Sequence, residues 1–126
     1  METNQHLWAV IDDTVVKVDE ATLPISSTAV QYAFSVYESV RVCKSHVVYA
    51  KEHIDRLWTS AQKIGIIPHI SKEELTKQVS ETIKETKLEN TYIRIILTRG
   101  EGEIGLNPNL SHSNNLIIIV KERPVY

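Results

Sequence analysis

The sequence has a single cysteine, Cys43, so no disulfide can close within the chain, and a reducing compartment such as the cytoplasm is the simple inference. No Cys or His stands at a matched spacing from Cys43, which reads as an ordinary strand residue. Glycine and proline are scarce, four of each, and 42% of residues are hydrophobic, a composition that excludes a disordered or low-complexity chain. No apolar run approaches the ~20 residues needed to cross a bilayer. Met1 to Gln5 is polar and acidic, unlike a signal peptide. Excess charge is missing too: a net charge of -2 gives no electrostatic case for nucleic acid or an anionic membrane as partner. The histidines His6, His46, His53, His69 and His112 lie apart, with no acidic partner at a helical step, so no metal site is expected. What remains is 126 residues, enough for a single domain with one core.

Two stretches carry the polar chemistry. Val36 to Val42 is rich in β-formers, and as a strand it alternates faces. Val36, Glu38, Val40 and Val42 then share one face, and Tyr37, Ser39 and Arg41 the other. Tyr92 to Thr98 alternates likewise, with Ile93, Ile95 and Leu97 on one side and Tyr92, Arg94, Ile96 and Thr98 on the other. Each stretch thus offers a tyrosine and an arginine on one face. Such a face is either solvated or lines a site for an anion, since arginine grips carboxylate and phosphate in a two-pronged fork. If the two strands are neighbours, they build a pocket for a small anionic substrate.

The other elements follow from periodicity and turn chemistry. Leu7 to Ile11 and Thr14 to Val18 read as a hairpin about Asp12-Asp13, and Asp19 to Ser27 as a loop. The segment Tyr32 to Val42 follows, and Val47 to Ala50 pairs back on it through Lys44-Ser45-His46. Lys51 to Gly65 is a helix, with Ile54, Leu57, Trp58, Ala61 and Ile64 on its apolar stripe and Gly65 as its stop. Ser71 opens a second helix with Glu74 three residues on, and Leu75, Val79 and Ile83 form its buried stripe. The glycine-containing stretch Arg99 to Pro108 is too spread out for a phosphate-cradling loop. Leu116 to Val120 reads as a buried central strand. The expected fold is α+β, a two-layer sandwich of an antiparallel sheet with two helices on one face.

Arg56 lies beside the apolar stripe of the first helix, where it needs an anion: Glu38, Asp55 or a ligand phosphate would serve. His53, three residues earlier, either points the same way or makes a structural hydrogen bond near the helix start. The ordered segments Tyr32-Ala-Phe-Ser-Val-Tyr-Glu-Ser-Val-Arg41, Glu52-His-Ile-Asp-Arg-Leu57 with Ser60-Ala61, Tyr92-Ile-Arg94, Thr98-Arg-Gly-Glu-Gly102 and Gly105-Leu-Asn-Pro108 resemble the N-terminal domain of the class IV (fold type IV) pyridoxal-phosphate enzymes. That family includes branched-chain aminotransferases, D-amino acid aminotransferases and aminodeoxychorismate lyases.

The resemblance implies a division of labour. Arg56 holds the phosphate of pyridoxal 5'-phosphate, Tyr32, Tyr37, Arg41, Tyr92 and Arg94 line the substrate side, and Ile104 and Leu106 belong to a loop that reaches a neighbouring subunit, hence a homodimer. The family usually has glycine where Ala33 stands, which leaves the backbone there shifted or constrained. Tyr37 matches the D-amino acid enzymes, whereas the absence of their Arg-x-His pair after Arg99, the Tyr-Ile-Arg segment and the Gly-Leu-Asn-Pro loop favour the branched-chain subgroup. The family's Schiff-base lysine lies in a second domain, and Lys121 does not match its motif and reads as a surface charge. The expectation is one small domain, residues 1–126, of a transaminase that moves an amino group between a branched-chain or related L-amino acid and 2-oxoglutarate, inactive as this chain alone. The alternatives are a D-amino acid aminotransferase, an aminodeoxychorismate lyase, or a non-catalytic binding or dimerisation module.

Overall fold

Alternating β-branched and aromatic residues build the sheet. In the computed structural model, which describes residues 7–11, 14–100 and 115–123, its strands are β1 (Leu7–Ile11), β2 (Thr14–Lys17), β3 (Ser35–Cys43), β4 (His46–Val47), β5 (Thr91–Thr98) and β6 (Asn115–Glu122). The described strands form one antiparallel sheet in the order β2-β1-β6-β5-β3-β4. The apolar run in β6 is central, as its composition suggests, lying between β1 and β5.

The helices are α1 (Thr28–Tyr32), α2 (Ala50–Lys63) and α3 (Lys72–Thr86). Ile54, Leu57 and Ala61 of α2 and Leu75, Val79 and Ile83 of α3 share one core with Val40, Val42, Ile93, Ile95, Leu97, Ile118 and Val120 of the sheet. Both long helices therefore cover the same face, giving the expected two-layer α+β sandwich. The Ser71 hydroxyl caps α3 by accepting the Glu74 N–H at 3.0 Å.

The end of α2 is a Schellman turn. Gly65 takes φ +76, its N–H donates to the Gln62 carbonyl, and the Ile66 N–H donates to that of Ala61. Buried Arg99, 4% exposed, closes over this turn, donating from Nη2 to the Ile64 carbonyl with its guanidinium 4.9 Å from the Phe34 ring. A Cβ on Gly65 would sit 2.9 Å from Arg99 Nη2. Gly65→Ala is therefore expected to cost about 1–2 kcal/mol through the left-handed backbone alone, with the contact adding to it. Chemical denaturation checks this, and an unchanged midpoint would refute it.

Several boundaries differ from the sequence reading; β2 ends at Lys17, for example, and a 3-10 turn over Val18–Glu20 follows it. Tyr32 ends the single turn α1, opened by Ser27, whose buried hydroxyl accepts the Ala29 N–H, so the strand begins only at Ser35. β4 is His46–Val47 alone, because Tyr49 adopts a left-handed φ of 55 and turns the chain into α2, where Ile54 and Leu57 can reach the core. Ile64 caps α2 at 40% exposure and leaves the buried stripe. The connection before β4 is a two-residue turn with Lys44 and Ser45 both at positive φ, the primed geometry that matches strand twist. Asp12-Asp13 lies outside the described residues.

Candidate functional site

The face of the sheet opposite the helices carries the predicted tyrosines and arginines. β3 and β5 are neighbours, and their register sets Arg41 opposite Tyr92, Ser39 opposite Arg94 and Tyr37 opposite Ile96. Paired residues in an antiparallel ladder share a face, so the adjacency left open by the sequence is realised. Tyr37 is 58% exposed and Tyr92 44%. The Arg94 guanidinium lies 4.7 Å from the centre of the Tyr37 ring, a cation–π contact that splints both side chains. β6 extends the wall: Ile119 stands opposite Arg94 and Lys121 opposite Tyr92. Ser39, Tyr92, Arg94, Ile119 and Lys121 line a shallow depression of about 400 Å³. Small Ser39 leaves space there, and Arg41, Arg94 and Lys121 make the face cationic, while half-buried Ile96, Ile117 and Ile119 give it an apolar side. Lys121, read as a surface charge, is indeed exposed, but on this wall.

Arg56 is elsewhere. The sequence reading sets it beside the apolar stripe, yet its side chain is 68% exposed, and it lies on the helix side with Glu38, whose side chain is only 7% exposed. Glu38 alternates with Tyr37 and Arg41, so whatever grips its carboxylate lies across the sheet from the wall. Arg56 donates from Nε to Oε1 and Oε2 at 3.0 and 2.9 Å and from Nη2 to Oε1 at 2.7 Å. His53 Nδ1 reaches the same Oε1 at 2.7 Å, the structural hydrogen bond anticipated for it. Asp55, the other candidate partner for Arg56, pairs instead with Lys51 and Lys72 at 2.8 and 3.0 Å.

Burial pushes the Glu38 carboxyl up, but the hydrogen bonds and charges of Arg56 and His53 outweigh it and hold Glu38 below the ordinary value of 4.5. The hydrogen bonds to Glu38 and its charge in turn push the Arg56 guanidinium up. A depressed carboxyl contributes stability that is present above its unfolded value and is lost as pH falls through its folded one. Stability is thus expected to decline below about pH 4.5, more steeply than in Glu38→Gln. Denaturation at pH 7, 5, 4 and 3 checks this, and parallel curves for the two proteins would refute it. Partly exposed Asp55, also lowered by Lys51 and Lys72, contributes less because solvent screens it.

The two faces meet where the sheet is open. β4 pairs only with Val42 and Cys43, so among the described strands none flanks β3 from Ser35 to Glu38 on that side. A cavity of about 190 Å³ between β3, β4, α2 and α3, lined by Val40, His46, His53, Thr76 and Ser80 among others, is below the usual range for a cofactor-sized ligand. The wall and the open edge are the better candidate site.

Tyr32 stands just before β3, half-buried, with its ring 5.7 Å from that of Phe34. Ala33 adopts a left-handed φ of 55, a conformation glycine takes more readily than alanine, so the backbone there is constrained. Ile104 and Leu106 lie outside the described residues. The sequence reading passed over Arg99, whose Nε and Nη1 have no partner among the described residues and whose burial lowers its pKa. Its place at the end of an apolar strand, inside the Thr98-Arg-Gly-Glu-Gly102 segment, is the signal that could have found it. Arg123, whose guanidinium lies 5.9 Å from the Tyr92 ring, was missed for want of any pattern near it.

Comparison with known proteins adds the chemistry. The family described as amino-transferase class IV matches residues 35–125. A Methanocaldococcus jannaschii protein provisionally named a branched-chain-amino-acid aminotransferase is 39% identical over 72% of this chain and 32% of its own length. A D-alanine aminotransferase of Listeria monocytogenes is 32% identical over 71% of this chain and 31% of its own. The branched-chain amino acid aminotransferase structure from Escherichia coli superposes with a TM-score of 0.85 at 27% identity, covering 94% of this chain and 42% of that one. The chain thus spans less than half the length of these relatives.

Proposed function

The chain belongs to the class IV amino-transferases, and on that premise we propose that it is the substrate-facing domain of a pyridoxal-phosphate-dependent transaminase acting on a branched-chain or related L-amino acid with 2-oxoglutarate. The observation that carries the reading is the wall on which Tyr37, Arg41, Tyr92 and Arg94 share one uncovered face of two paired strands. An amino acid with an aliphatic side chain needs a cation for its carboxylate and an apolar surface for the rest. Arg41 and Arg94 offer the first, and Ile96, Ile117 and Ile119 the second. Tyr37 and Tyr92 present hydroxyls for the polar end, and Tyr37 holds Arg94 in place by stacking.

The side chains present fit the coenzyme's phosphate. Glu38 occupies the Nε and Nη2 edge of Arg56, and the exposed Nη1 edge keeps donors suited to phosphate oxygens. When bound, the coenzyme supplies the electron sink through which the amino group is exchanged. The Schiff-base lysine is assigned to a part of the protein outside residues 1–126, and the whole to a cytoplasmic homodimer. Tyr32 closes the near end of the substrate side.

Turnover of L-leucine, D-alanine and aminodeoxychorismate by the intact protein, with 2-oxoglutarate as amino acceptor for the first two, tests the reading. L-leucine is expected to be the preferred donor. A preference for D-alanine would move the chain to the D-amino acid branch of the family, consistent with the Listeria relative, and turnover of none would sink the enzyme reading.

A further inference from the structure

The Arg56 reading requires the guanidinium to be aimed, and an arginine on a helix surface, 68% exposed, has four rotatable bonds to aim with. Nothing in its own helix fixes them. Glu38 does: its carboxylate is nearly buried on the sheet, where strand pairing with β5 fixes its backbone, and it takes the guanidinium side-on through Nε and Nη2. His53 Nδ1 holds the same carboxylate from one turn earlier on α2, at 2.7 Å. Imidazole and guanidinium therefore converge on one carboxylate whose own position is set by the sheet. The side-on fork leaves the Nη1 edge as the one turned away from the protein's own anion.

From this geometry we propose that Glu38, steadied by His53, is a positioning residue that orients Arg56 for the phosphate of the coenzyme. The proposal rests on the reading of Arg56 as the phosphate clamp. Its consequence is specific to the phosphate. A carboxylate that merely held α2 to β3 would affect every ligand alike. A carboxylate that aims Arg56 affects only ligands carrying the anion.

The test is calorimetric titration of the intact protein with pyridoxamine 5'-phosphate and with pyridoxamine, which differ in the phosphate alone and require no covalent link. The quantity read is the ratio of the two affinities. Arg56→Ala is expected to cut that ratio by roughly ten- to a hundredfold, the size of lost charge-assisted hydrogen bonds. Glu38→Gln is expected to cut it by roughly three- to thirtyfold while pyridoxamine alone binds as before, and to add nothing further in the Arg56→Ala background. Should Glu38→Gln fail to fold, Glu38→Asp keeps the charge one methylene short of Arg56, and the same loss is expected. If Arg56→Ala lowers the ratio and neither Glu38 variant does, or if both ligands weaken equally in the Glu38 variants, the positioning role is wrong. An Arg56→Ala protein with the wild-type ratio would instead remove the phosphate-clamp reading on which it stands.

Discussion

Leu57→Ala should destabilise the chain by about 3 kcal/mol, within the ~2–5 kcal/mol range for emptying a buried leucine site. Leu57 is fully buried on α2, in the core shared by the helices and the sheet. Truncation removes apolar contacts on every side and leaves a cavity that two packed layers can only partly close. For a domain of this size the loss corresponds to roughly 10 °C in melting temperature, a large share of the ~5–15 kcal/mol that holds such domains together. Leu57→Met should cost under about 1.5 kcal/mol, because volume is nearly conserved. Urea unfolding of the three proteins measures both. A loss below about 1 kcal/mol for the alanine variant would mean that α2 does not anchor the core.

Arg94→Ala should instead leave stability nearly unchanged and strike at turnover. Its side chain is exposed, its one described contact of note is the Tyr37 ring, and its backbone pairs in the middle of β5 whatever the side chain. As a substrate-carboxylate ligand it would contribute about 1.5–3 kcal/mol, so kcat/KM for L-leucine in the intact protein should fall by roughly ten- to a hundredfold. Arg94→Lys keeps the charge but not the fork and should lie between. Turnover within about twofold of wild type in Arg94→Ala would take the wall out of carboxylate binding.

The sequence made the faces of β3 and β5 legible because a period of two separates them: Val40, Val42, Ile93 and Ile95 fall on one side, Tyr37, Arg41, Tyr92 and Arg94 on the other, with Glu38 and Ile96 as the exceptions. The Ser71 cap and the buried stripe of α3 were equally plain, since hydroxyl caps and three-and-four spacings are local signals. Two kinds of information were not local. Val47, Val48 and Tyr49 are good strand formers, yet burying Ile54 and Leu57 requires α2 to start at Ala50, and Tyr49 gives way by turning left-handed. Glu38 was named among several anions for Arg56, but choosing it needs the distance between a strand and a helix, which no local pattern encodes. The separation of Arg56 from the tyrosine wall was nonetheless implicit. Glu38 alternates with Tyr37, so a partner of one cannot stand on the face of the other.

The wall on β3, β5 and β6 has one more consequence. Its side chains take no part in the core, while their immediate neighbours along each strand, Val40, Ile93, Ile95 and Val120, supply much of it. Selection can therefore revise the outward letters of these strands at little risk to folding, so long as the inward letters, Glu38 included, are kept. A lineage needing a different donor has a cheap route to one: rewrite positions 37, 39, 92, 94 or 119 and inherit the scaffold intact.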